Sequence, residues 1–89
     1  MTTAFSRIAR TRVIDVTVND LTTLYTVPSG RYAEVFYIVS EDGVQATLSD
    51  GTIISNNDPF FISGTNLTSF TSGNNNIKYV LFIREFNEV

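Results

Sequence analysis

Apolar and polar residues alternate with period two along much of this chain, and dense turn signals cut the alternation into short pieces. Ile14, Val16 and Val18 share one face of an extended segment, against Asp15, Thr17 and Asn19 on the other. Val44, Ala46 and Leu48 alternate in the same way with Gln45, Thr47 and Ser49. The breaks fall at Asn19-Asp20, Pro28-Ser29-Gly30, Asp42-Gly43, Asp50-Gly51, Asn56-Asn57-Asp58-Pro59, Ser63-Gly64 and Ser72-Gly73-Asn74-Asn75-Asn76. Between them Thr, Val, Ile, Phe and Tyr dominate, residues that suit a pleated, half-buried surface. Asp50-Gly51 predicts a two-residue hairpin between Val44–Ser49 and Thr52–Ser55, both turn residues taking positive φ. Val27-Pro28-Ser29-Gly30 predicts a type I turn, with Pro28 at its second position and Gly30 at its fourth. The pattern as a whole predicts an all-β chain, a small antiparallel β-sandwich or jelly-roll-like domain of about eight short strands.

Two segments do not alternate. Tyr32–Val39 and Ile77–Phe86 are apolar on both faces, with Phe36 and Ile38 set against Val35 and Tyr37, and Tyr79, Leu81 and Ile83 against Val80 and Phe82. A strand apolar on both faces must be covered on both, and a two-layer sandwich covers one. These segments therefore predict a second burying surface.

The first twelve residues read differently. Arg7, Arg10 and Arg12 are three of the six basic residues, and no acid precedes Asp15. Residues 1–12 thus carry +3, whereas residues 13–89 set three bases against nine acids. Phe5 and Ile8 are the large apolar side chains of this stretch, and no cap or long period supports a helix. The expected organisation is a basic arm at 1–12, extended or with one helical turn, ahead of a β-sandwich domain at 13–89.

Composition narrows the chemistry. The 89 residues make one domain. There is no cysteine for a disulfide, a thiolate nucleophile or a thiolate-bound metal, and no histidine for general-base catalysis or metal ligation. The net charge of −3 opposes phosphate neutralisation, so no nucleic-acid partner is expected. The start has no apolar h-region and the longest apolar runs span five residues, against about 20 for a membrane helix, so no leader and no membrane partner are expected. No cofactor, metal or catalytic residue is expected.

Size then argues for association. A domain this short balances apolar burial against chain entropy near zero, and without disulfides the remaining route to stability is contact with another chain. Val35–Val39 and Tyr79–Ile83 are also β-prone, uncharged and free of proline, an aggregation hazard unless central or in an interface. A homo-oligomer is expected, with Tyr37, Phe60, Phe61 and Phe82 as interface candidates.

The segment Leu24-Tyr25-Thr26-Val27-Pro28-Ser29-Gly30-Arg31-Tyr32-Ala33-Glu34-Val35 resembles a pattern of tailed-bacteriophage structural proteins, "LYTVPxGxxAxV", which opens a small β-sandwich. Such domains serve in trimeric capsid decoration, head-fibre and tail proteins. Ile62-Ser63-Gly64-Thr65-Asn66-Leu67 and the closing Tyr79-Val80-Leu81-Phe82-Ile83 are weaker echoes of the same proteins. The resemblance implies a virion protein made in the host cytoplasm and placed on the capsid surface. The role it favours is a decoration (cement) protein that binds the major capsid protein as a homo-oligomer, a trimer by preference. In that role Phe5, Arg7, Ile8, Arg10 and Arg12 are the candidate capsid contacts, the arginines pairing with carboxylates and Phe5 and Ile8 filling apolar clefts. A short tail, neck or head-fibre component is the alternative.

Other readings find less in the residues. A carbohydrate-binding sandwich could use Tyr25, Tyr32, Tyr37 and Phe70, but there is no tryptophan and no exposed ring trio at i, i+2, i+4. Calcium could draw on Glu41, Asp42, Asp50 and Asp58, yet no spacing resembles an EF-hand loop. An enzyme would have only carboxylate pairs such as Glu34 with Glu41 or Asp50, with nothing to set their separation.

Overall fold

The structure, a computed structural model, describes residues 8–71 and 76–88. It contains eight strands: β1 (Ile8–Val18), β2 (Thr22–Thr26), β3 (Arg31–Ser40), β4 (Ala46–Leu48), β5 (Ile53–Ile54), β6 (Phe60–Ile62), β7 (Asn66–Ser69) and β8 (Ile77–Asn87). They form two four-stranded antiparallel sheets, ordered β1-β8-β3-β6 and β2-β7-β4-β5. Strand 1 pairs with 8, 2 with 7, 3 with 6 and 4 with 5, the order of a long hairpin rolled into two layers, which is the jelly roll.

The core fills the space between the layers. From the first sheet come Val18, Ala33, Val35, Ile38, Ile62, Tyr79, Leu81 and Ile83, and from the second Leu24, Tyr25, Ala46 and Leu67. Tyr79 also donates from its hydroxyl to the Gln45 carbonyl at 2.8 Å, which ties β8 to the strand entering the opposite sheet.

Both turns form, each one step away from the sequence expectation. The chain-reversing bond after β2 runs from Arg31 N to Pro28 O at 3.2 Å, so Pro28 opens the turn. Gly30 takes its third position with φ +78°, the requirement of a type II turn. In the β4–β5 hairpin, Gly51 N bonds Leu48 O at 2.9 Å and Leu48 N bonds Thr52 O at 2.8 Å. The loop is thus three residues, Ser49 to Gly51, and among them Gly51 alone has positive φ, +94°. That is a turn closed by a glycine bulge rather than the two-residue form. Asp50 Oδ1 accepts from Thr52 N at 2.9 Å, a bond that holds the Asp50 carboxyl below the usual carboxylate range. A Cβ at Gly51 would touch nothing within 4 Å, so Gly51→Ala isolates the backbone cost. The variant is expected to lose about 1–2 kcal/mol in chemical denaturation.

The expected arm boundary at residue 12 does not hold for the residues described. The sheet begins at Ile8, and residues 8–12 form the first half of β1, in register with Arg84, Glu85 and Phe86 of β8. Positive charge at the start suggests a separate segment, whereas the structure hydrogen-bonds Arg10 to a buried carboxylate, Glu85, and brings Arg12 near it. Phe5 and Arg7 lie outside the described residues.

Candidate functional site

Glu85 is the fifth inward position of β8, after Ile77, Tyr79, Leu81 and Ile83, and it is completely buried. Its neighbours in the sheet are Arg10 on β1 and Ala33 on β3. The alanine leaves room beside the carboxylate, and polar groups from three other strands fill it. Arg10 Nε and Arg31 Nη1 donate to Oε1, the latter at 2.9 Å. Arg10 Nη2 donates to Oε2 at 3.4 Å, and the Tyr25 hydroxyl donates to the same oxygen.

Burial alone would raise the Glu85 carboxyl. The hydrogen bonds from Arg10, Tyr25 and Arg31 outweigh it and hold the group below its ordinary value, so Glu85 is a carboxylate. Tyr25 moves the other way, because burial and its bond to the Glu85 anion both disfavour a phenolate. The bond to Glu85 likewise pushes Arg10 up. Arg12 is different, since its Nη1 stands 3.8 Å from Oε2, beyond hydrogen-bond range, with its guanidinium 5.9 Å from the centre of the Tyr25 ring.

The cluster gives residues 24–35 a local structural role. Tyr25, Arg31 and Ala33 all converge on Glu85, and the Pro28–Arg31 turn carries the chain from one sheet to the other between them. Neither Glu85 nor Arg31 stands out as a site residue in the sequence. One signal could have found Glu85: it continues the inward period of Tyr79, Leu81 and Ile83, where a charged residue needs partners.

The second feature is the outer face of the β1-β8-β3-β6 sheet, away from the core. A bulge in β3 between Val35 and Tyr37 turns both Phe36 and Tyr37 to this side. Here the rings of Tyr32 and Phe86 stack with centroids 5.0 Å apart, and Phe61 lies 6.4 Å from Tyr32. Phe82 meets Tyr37 at 5.9 Å and Phe36 at 6.1 Å. Phe61 is 63% exposed, Val13 60% and Tyr37 46%. The charges on this face come in pairs, Arg84 with Glu34 at 3.0 Å and Lys78 with Asp15 at 3.3 Å. Arg84 also lies 4.2 Å over the Phe36 ring.

Three of the four interface candidates therefore share this face: Tyr37, Phe61 and Phe82. Phe60 does not. It is opposite Val35, on the inner side of β6, and packs against the core. Among the shell-contact candidates, Ile8 is in register with Phe86 of the outer face, while Arg10 and Arg12 point inward to the Glu85 end. The rings considered for sugar binding are divided, with Tyr25 in the core and Phe70 beyond β7 of the other sheet. Among the described residues no three acidic side chains are grouped to hold a metal ion.

Compared with protein-family models, curated proteins and solved structures, the chain gives no match.

Proposed function

We propose that this protein is a structural component of a tailed-phage virion, a decoration protein that binds the outer shell as a homo-oligomer and works by adhesion. The observation that carries the reading is the uncovered aromatic face of the β1-β8-β3-β6 sheet. Exposed contiguous apolar surface marks an interaction site, and three long strands and a short one offer about 550 Å² per chain. A pair of copies would bury about 1,100 Å², just above the roughly 1,000 Å² floor of biological interfaces and at their weaker end.

The occupant that fits is a second copy of this chain. The face carries Asp15 and Glu34 against Lys78 and Arg84, so it is electrically balanced although the whole chain is at −3. A strongly acidic or basic partner gains nothing from such a face, while another copy meets no net repulsion and can exchange the paired charges across the contact.

The virion assignment is supported by the resemblance of residues 24–35 and, as a fold-level analogy, by the use of eight-stranded jelly rolls in viral capsid domains. In this role the Glu85 end, with Arg10 and Arg12, faces the shell.

Counting copies of the chain per major capsid protein in purified virions, by quantitative mass spectrometry, tests the reading. A ratio near one to one, or a simple fraction of it, is expected. A handful of copies per particle would move the protein to the tail or neck, and absence from virions would overturn the proposal.

A further inference from the structure

We propose that Arg12, in the open seam between β1 and β2, is a binding site for a carboxylate of an acidic peptide segment. The proposal gives the ligand chemistry of the shell contact and rests on the reading of this end as a partner surface.

The first argument is an excess of donors. A carboxylate offers about four lone-pair positions. Arg10 contributes two bonds to Glu85, Arg31 one and Tyr25 one, so these positions are filled without Arg12. Three guanidinium groups around one carboxylate also leave the cluster itself with two surplus positive charges, in a chain of net charge −3. Burying Glu85 does not require the third arginine, which repels the other two.

The second argument is access. Arg12 lines a surface pocket of about 320 Å³ together with Thr23, Tyr25 and Thr26. β1 and β2 are edge strands of their sheets, so the pocket opens on the side where neither layer is covered. An extended peptide can lie along this seam and place an Asp or Glu side chain on the guanidinium fork, with the two threonine hydroxyls beside it. Tyr25, pinned by Glu85, fixes the ring under Arg12 and limits its rotamers. A partly dehydrated, preoriented arginine favours the planar two-oxygen geometry of a carboxylate.

The test is a titration of the intact protein with hexaglutamate in low salt, followed through the arginine Nε–Hε resonances. A saturable shift of the Arg12 resonance is expected, with hexalysine giving none. Arg12→Gln is expected to weaken hexaglutamate binding about tenfold, the loss of one charge-assisted contact. Arg12→Lys keeps the charge without the fork and is expected to fall between. Absence of a shift at Arg12, or an equal shift with inorganic phosphate at the same concentration, would overturn the carboxylate assignment. Neither outcome alters the virion copy number, so the site and the virion role fail separately.

Discussion

Replacing Glu85 by alanine is expected to lower the melting temperature by about 15 °C, the largest stability loss available from one side chain outside the apolar core. The substitution leaves Arg10, Arg12 and Arg31 converging on a space without counter-charge, and strands the Tyr25 hydroxyl in a buried position. Breaking a buried ion pair costs about 3–5 kcal/mol. The low end applies here because the three arginine side chains remain 31% to 47% exposed and can turn towards water. Glu85→Gln retains the shape and one acceptor oxygen, so its loss is expected to be smaller.

The same cluster sets the pH range of stability. Glu85 has a folded-state value below its ordinary one, so its contribution is complete above about pH 5 and disappears as the pH falls through the folded value. Tyr25 has a raised folded-state value, so its contribution holds below about pH 10 and is lost as the pH rises through the folded value. Urea titrations across pH are expected to show an acid limb that flattens in Glu85→Gln and an alkaline limb that flattens in Tyr25→Phe. An unchanged acid limb in Glu85→Gln would mean that the carboxylate is not held by these partners.

Much of the architecture is legible in the sequence because the jelly roll uses elementary signals. Period-two alternation gives Ile14, Val16 and Val18 the inner face of β1, and the glycines at 30 and 51 fix where the chain reverses. What escapes is set by single residues that break the period. Strict alternation assigns Val35 and Tyr37 to one face, yet the bulge puts Val35 inside and both Phe36 and Tyr37 outside. One inserted residue enlarges the aromatic face, and no local propensity reports it. Phe60 and Phe61 show the opposite case. β6 has no bulge, so its adjacent residues face opposite ways, and pairing with Val35 makes Phe60 the inner one.

The candidate site was harder to see because its members are far apart in the chain. Arg10, Tyr25, Arg31 and Glu85 meet only when β1, β2, β3 and β8 come to one end of the two layers. A charge count over residues 1–12 detects the surplus arginines but assigns them to a free arm, since no acid precedes Asp15. The partner is supplied by long-range pairing of the first strand with the last. For the two segments apolar on both faces, the structure bears out the central position, and the second burying surface is not present among the described residues of the chain. β3 and β8 are the central strands of their sheet, with one face on the core and the other carrying exposed rings.

That outer face gives the second large effect. The wild-type protein at tens of micromolar is expected to sediment above the 9.9 kDa of one chain, and Phe82→Glu is expected to sediment as that monomer. Phe82 sits mid-face, between Val13 of β1 and Tyr37 of β3, so a carboxylate there would be desolvated by any copy docking on the face. Truncating or charging such a central aromatic commonly costs 2 kcal/mol or more, about a thirtyfold weakening, and the uncompensated charge adds to it. In the isolated chain the same side chain can reach water, so the monomer is expected to stay folded. Ile53→Glu is the matched control, because Ile53 is exposed on the outer side of the other sheet, opposite Thr47. It is expected to leave the assembly mass unchanged. Linkage supplies an independent readout: the wild-type melting temperature should rise with protein concentration, and that of Phe82→Glu should not. If both variants and the wild type ran as monomers with concentration-independent melting, the aromatic face would not be a self-association surface, whatever the copy number in virions.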